Sequence, residues 1–167
     1  QGCGVPLPRY EANFHNVQVL KRQAPLAKLD TPIVEADEGQ DSISTRANPI
    51  KSPEGSISKH VQKALEDELR LAGLLESGAS RHLDVRLRQN MLDAAIGTGS
   101  GTIAADFNLQ EGDRSLYRSN KTVSSTWDSS FVGAIAIPAA ANAYNPLVRK
   151  LLAELYQDPA FIKAMKQ

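Results

Sequence analysis

Cysteine is almost missing from this sequence: Cys3 is the only one in 167 residues, so these residues can form neither an internal disulfide nor a cysteine metal cage. An excess of one charge is missing too, with nineteen Lys and Arg against nineteen Asp and Glu and a formal net charge of zero. Phosphate backbones draw proteins with a basic excess, so nucleic acid is not an expected partner. Aromatic residues are scarce at 5%, which leaves Leu, Ile, Val and Ala to fill the core of a soluble globular chain. Long apolar runs are nearly absent. Residues 129–148, "SSFVGAIAIPAAANAYNPLV", carry no charge and could in length cross a bilayer. Pro138, Asn142, Asn145 and Pro146 interrupt that stretch, and alanine is only weakly apolar, so a buried helical part of the core is expected there instead.

Catalytic signatures are also lacking. "IGTGSGTIA" satisfies a loose G-x-G-x-x-A fingerprint through Gly99, Gly101 and Ala104, but the residues after it alternate like a strand, and no helix N-terminus is there to face a pyrophosphate. Ser100 lacks the flanking glycines of a nucleophile elbow, because Thr98 and Thr102 stand in their places. His15, His60 and His82 show no metal-binding spacing and read as surface or boundary residues. The expectation is a chain without catalytic residues, metal or cofactor, in which "IGTGSGTIA" is a flexible hairpin connection. An alternative reading gives the glycine-rich loop 97–101 a small-molecule or hydrolase role.

Patterns of loops and elements are present instead. Residues 1–55 hold six of the nine prolines, as loops and tethers do. They read as a tether over 1–13, a short strand in "FHNVQVLKR" where Val17 and Val19 alternate with Gln18, and an irregular excursion over about 22–55. Residues 56–77 have Ile57, Val61, Ala64, Leu65, Leu69, Ala72 and Leu75 on one helical face, with Gly78 as the stop. Three alternating strands come next, around "RHLDVRLRQNMLDA", "TIAADFNLQ" and "SLYRSNKTVSSTW", joined as an antiparallel meander. Asn145 and Asp158 each precede a proline, the pattern of a helix N-cap with proline at the first helical position. The sum is an α+β domain over 14–167: an antiparallel sheet of about four strands, one early strand plus the meander, with two helices on one face.

Alternation places a set of polar residues on the far side of that sheet: Asp84, Arg86, Arg88, Asn90, Asp106, Asn108, Arg118, Asn120 and Thr122. Such a face is either simply solvated or a docking surface for another protein or a second copy of the chain.

"QGCG" resembles the mature end of a bacterial lipoprotein, with Gln1 and Gly2 as the end of a lipobox and Cys3 as the acyl acceptor. That resemblance implies an acyl anchor at Cys3 and a membrane-tethered periplasmic domain. Gly4 is not the aspartate that retains such proteins at the inner membrane, so it implies the outer membrane. The helix "VQKALEDELRLAGLL", the meander opening "HLDVRLRQ" and the closing "LYQDPAFIKAMKQ" are similar in order to the small YajG-type lipoproteins. These are related in fold to the N-terminal domain of TolB and to auxiliary lipoproteins of ABC-type lipid transport. The resemblance implies no catalytic residues and a non-enzymatic accessory role in envelope maintenance or transport, with a secretion or appendage component as a further alternative.

Overall fold

The computed structural model describes residues 4–23 and 25–167. Its first helix stands where alternation predicts a strand. The Asn13 side chain accepts from the Asn16 N–H at 2.9 Å and starts α1 (Phe14–Arg22), which buries Asn16, Val17 and Leu20. Val17 and Leu20 meet only at helical spacing, and the cap with that pair outweighs the strand preference of two valines.

The segment preceding it is not a loose tether from Gly4 onward. Strand β1 (Val5–Pro6) pairs in parallel with β4 (Asn48–Lys51), and Leu7 and Tyr10 are buried. The 22–55 excursion is likewise ordered into strands, although its proline and glycine content reads as loop. It supplies β2 (Ile33–Ala36) and the hairpin β3 (Ile43–Thr45) with β4, so that β1, β4 and β3 make a small three-stranded sheet.

The main sheet has the order β2, β5 (Arg81–Asp93), β6 (Gly97–Glu111), β7 (Arg114–Ser129). The meander is antiparallel as expected, but the fourth strand is β2, paired in parallel with β5. The α+β class holds. On the inner face lie α2 (Ile57–Leu71), α4 (Tyr144–Tyr156) and α5 (Pro159–Met165), with α1 packed on α2 and α4. Leu83, Val85, Leu87, Ile103, Phe107 and Leu109 meet Leu65, Leu69, Leu151 and Leu155 there in one core.

Helix α2 stops at Gly73 rather than Gly78. Gly73 takes φ +76°, and the Leu74 N–H donates to the Leu69 carbonyl at 2.9 Å, the closing bond that turns Leu74 into the core. Asn145 is not an N-cap: α3 (Gly133–Asn142) meets α4 across Ala143, and the Asn145 side chain is engaged elsewhere. Asp158 caps α5 as its sequence predicts, accepting from the Ala160 N–H with Pro159 in the first turn.

Asp158 also carries a pH dependence. Burial alone would raise its carboxyl, but bonds from Lys121 Nζ at 2.7 Å, the Tyr117 hydroxyl and the Ala160 N–H outweigh it and bring the pKa down to about 2. The folded value lies below the unfolded one of about 3.9, so this stabilisation is complete above that value and is lost as pH falls through about 2. The expected loss is roughly 2 kcal/mol. Urea unfolding between about pH 5 and pH 2 should show it in the native chain, with a smaller acid loss in Asp158→Asn.

Candidate functional site

The outer face of the main sheet is built by register. Ile33, Asp84, Asn108 and Arg118 lie in one row across β2, β5, β6 and β7, and Glu35, Arg86, Asp106 and Asn120 lie in the next. Among the described residues only strand residues line this side, and the rows form an open concavity of about 690 Å³ that also takes in Arg88 and Ser119. Seven of the nine sheet-face residues singled out in the sequence line it: Asp84, Arg86, Arg88, Asp106, Asn108, Arg118 and Asn120; exposed Thr122 lies two positions further along β7.

Asn90 does not join them. The register between β5 and β6 shifts between Leu87 and Gln89, leaving Arg88 as an extra residue that inverts the alternation beyond it. Asn90 therefore turns inward, where its carbonyl oxygen accepts from the Tyr144 hydroxyl at 2.6 Å and its amide donates to the Gln40 carbonyl at 2.8 Å. Met91 becomes the half-buried outward neighbour. A bulge is invisible to a strict period of two.

Most charges of the concavity are already paired. Arg86 reaches Glu35 at 3.3 Å and Asp37 at 3.2 Å, while Arg88 reaches Asp37 at 3.1 Å and Asp106 at 2.6 Å. Asn120 donates to Asp106 at 2.7 Å, and this bond, followed by that from Arg88, holds the Asp106 carboxyl below the usual carboxylate range. Asp37 and Glu35 were not legible as part of the face, because both come from the segment read as irregular. Asp84 and Arg118 make no ion pair among the described residues, and Ile33 is 52% exposed beside them. An exposed aliphatic anchor among ordered, mixed charges suits the surface of another protein better than an anion or a phosphate backbone.

The glycine-rich segment is no loop. The turn occupies residues 94–96, and Gly97 onward is strand. Gly99 lies under the Trp127 indole and Gly101 under Leu147 and Leu92, so glycine is present because the side chains across it leave no room for a Cβ. The small-molecule reading of 97–101 loses its loop. Gly99→Ala should cost about 1–2 kcal/mol by displacing Trp127, measurable as a lower Tm with a red shift in the emission of the single tryptophan.

The histidines separate. His15 is exposed on α1, and His82 lies 3.7 Å from Asp30. His60, expected at a surface or boundary, is buried between Glu54 Oε1 at 2.9 Å and Asn145 Oδ1 at 2.7 Å. Asn145 in turn donates to the carbonyls of Pro8 and Arg9, so this chain fastens the N-terminal segment to α4. No cluster of metal-binding side chains occurs among the described residues. Cys3 lies outside them.

No family model matches the chain, and no curated protein matches it in sequence. Solved structures do match in shape. Protein XCC0632 from Xanthomonas campestris, of family model DUF330, aligns with a TM-score of 0.64 at 15% identity over 93% of each chain. A putative lipoprotein from Caulobacter crescentus aligns with a TM-score of 0.51 at 17% identity, over 90% of this chain and 96% of that one. At these identities the likeness establishes a shared fold: this chain has the architecture of those two bacterial proteins along almost its whole length.

Proposed function

We propose that the chain is a membrane-anchored lipoprotein of the bacterial envelope, of the kind the YajG-type resemblance implies. Its domain binds a partner protein and catalyses nothing. The observation that carries the binding role is the ordered, uncovered sheet face, with Ile33 exposed between rows of paired charge. The anchor is supported by Cys3 directly after Gly2, as in a lipobox, and by the fold shared with a chain described as a putative lipoprotein. Among the described residues no helix is long and apolar enough to cross a membrane, and acyl chains on Cys3 would hold the protein at a bilayer without one. Placement at the outer membrane, facing the periplasm, follows from Gly4 by the sorting pattern of such proteins.

The partner is another envelope protein whose surface offers an apolar pocket for Ile33 and opposite charges for Asp84 and Arg118. A photo-crosslinker at Asn108 or Thr122 in living cells tests this. A discrete adduct with one envelope protein, absent when the crosslinker is moved to exposed Glu38, supports the reading. Adducts only with a second copy of the chain, or none from either face position, would sink it.

A further inference from the structure

Four of the seven large apolar side chains that the described residues leave exposed gather at one end of the molecule. Phe131 is 75% exposed, Ile96 72% and Ile135 61%, with Val132 beside them. Ile96 ends the β5–β6 turn, next to the pair Gly97 and Ser129, and Phe131 comes two residues after Ser129. This is the leading end of the uncharged stretch 129–148, whose sequence predicts burial throughout. Its later part is buried as Ala136, Ala140, Tyr144 and Leu147, but its beginning stands in water.

The patch is held rigidly. Arg46 donates from Nε to the Ala94 carbonyl at 2.8 Å, from Nη2 to Ser130 at 2.8 Å and from Nη1 to Phe131 at 3.2 Å, tying both loops together. Thr45 Oγ1 accepts from the Ala94 N–H at 2.8 Å. To place that guanidinium, the β3–β4 turn holds Arg46 at φ +49° and Ala47 at φ +63°, a conformation that non-glycine residues adopt only at a cost.

The direction of β1 says what this end faces. β1 runs parallel to β4, and β4 leads away from the Arg46–Ala47 turn, so the leading end of β1, with Gly4 before it, is the end nearer that turn. Gly4 lies beside the Pro49 carbonyl and the Lys51 side chain, and Pro49 is the third residue after Arg46. Cys3 precedes Gly4 directly in the sequence. Asp93 ends β5 and Asp128 stands one residue from the end of β7 beside the patch, while Arg46 is bonded beneath it, so no basic excess selects an anionic surface.

We infer that Ile96, Phe131, Val132 and Ile135 form a membrane-contacting tip, which enters the interfacial layer of the bilayer that carries the Cys3 acyl chains. This rests on the anchor proposed above and adds an orientation to it. The domain stands on its tip, with the β6–β7 turn at Gly112 pointing away from the membrane. Contact is apolar, so it should persist on zwitterionic lipid and at high salt.

The test places an environment-sensitive fluorophore on Ile96→Cys or Phe131→Cys in the acylated full chain, where the native cysteine is blocked, in phosphatidylcholine and phosphatidylethanolamine vesicles. A probe on Asp113→Cys serves as the distal control. The expected result is a blue shift at 96 and 131 with quenching by lipid-borne spin labels at least about fivefold stronger than at 113, unchanged in high salt. Probes at 96 and 131 as wet and as weakly quenched as that at 113 would overturn the tip. So would a blue shift that depends on protein concentration and not on lipid quenchers, which would mean that a second copy covers the patch. The same probes in a chain whose residues 1–3 are replaced by a histidine tag on nickel-chelating lipid separate the two readings. Quenching there, with no acyl group found on native Cys3, keeps the tip and removes the anchor. Acylated Cys3 with wet, unquenched probes at 96 and 131 does the reverse.

Discussion

Glu68→Ala is expected to lower stability by about 3 kcal/mol and Tm by roughly 10 °C. Glu68 is wholly buried in α2 and has no cation paired with it among the described residues. Three donors satisfy it: the Tyr10 hydroxyl at 2.6 Å, the Asn13 N–H at 2.8 Å and Asn16 Nδ2 at 3.3 Å. All three come from residues 10–16, so one carboxylate binds the N-terminal segment and the start of α1 to the core. Burial, reinforced by the neighbouring Glu68, pushes the Tyr10 hydroxyl far up, so it keeps its proton and donates it to Glu68. Alanine leaves those buried donors without an acceptor, which costs more than the bonds themselves contributed. Glu68→Gln keeps one acceptor oxygen and should lose less, on the order of 1 kcal/mol. A thermal melt in which Glu68→Ala falls by less than a few degrees would show that β1 pairing and Asn145 hold the segment without it.

Reversing Arg86 and Arg88 together to glutamate should abolish partner capture while leaving the fold standing. Both side chains are nearly half exposed, and each surface ion pair contributes about 1 kcal/mol or less, so the four pairs lost cost at most a few kcal/mol. Binding responds differently. The double reversal sets two new carboxylates among Glu35, Asp37, Asp84 and Asp106, and a complementary partner then meets like charge across a desolvated face. A loss of at least about a hundredfold in affinity, or of the crosslink from Asn108, is expected, with a cooperative melt well above the assay temperature as the control. A crosslink of undiminished yield would move the docking surface away from this face.

Both predictions depend on contacts of different legibility. The meander, α2 and the cap at Asp158 follow from patterns that local physics enforces: alternation on a half-buried sheet, a helical stripe, and an acceptor before proline. Seven face residues follow from the same alternation. Asn90 does not, because the extra residue Arg88 is tolerated by pairing with Asp37 and Asp106, and neither is its neighbour in sequence. The α1 segment offers two valines at strand spacing, and only its tertiary neighbours Glu68 and the Arg149 carbonyl, both bonded to Asn16, give the helical register its value. Likewise "VPLPRY" reads as a tether until β4 lies beside it and Asn145 takes its carbonyls. Glycines 99 and 101 look like a loop because their reason is on other elements, in Trp127 and Leu147. Residues distant in sequence decide each of these, and no local pattern carries their positions.

Membrane attachment is the claim from which both the compartment of the partner and the orientation of the tip descend. Mass spectrometry of the N-terminal peptide from the full precursor, made in a bacterium with its own signal, tests it directly. The account predicts that Cys3 begins the mature chain and carries diacylglyceryl and amide-linked acyl groups. A free Cys3 thiol in a peptide that retains Gln1 and Gly2 would contradict it.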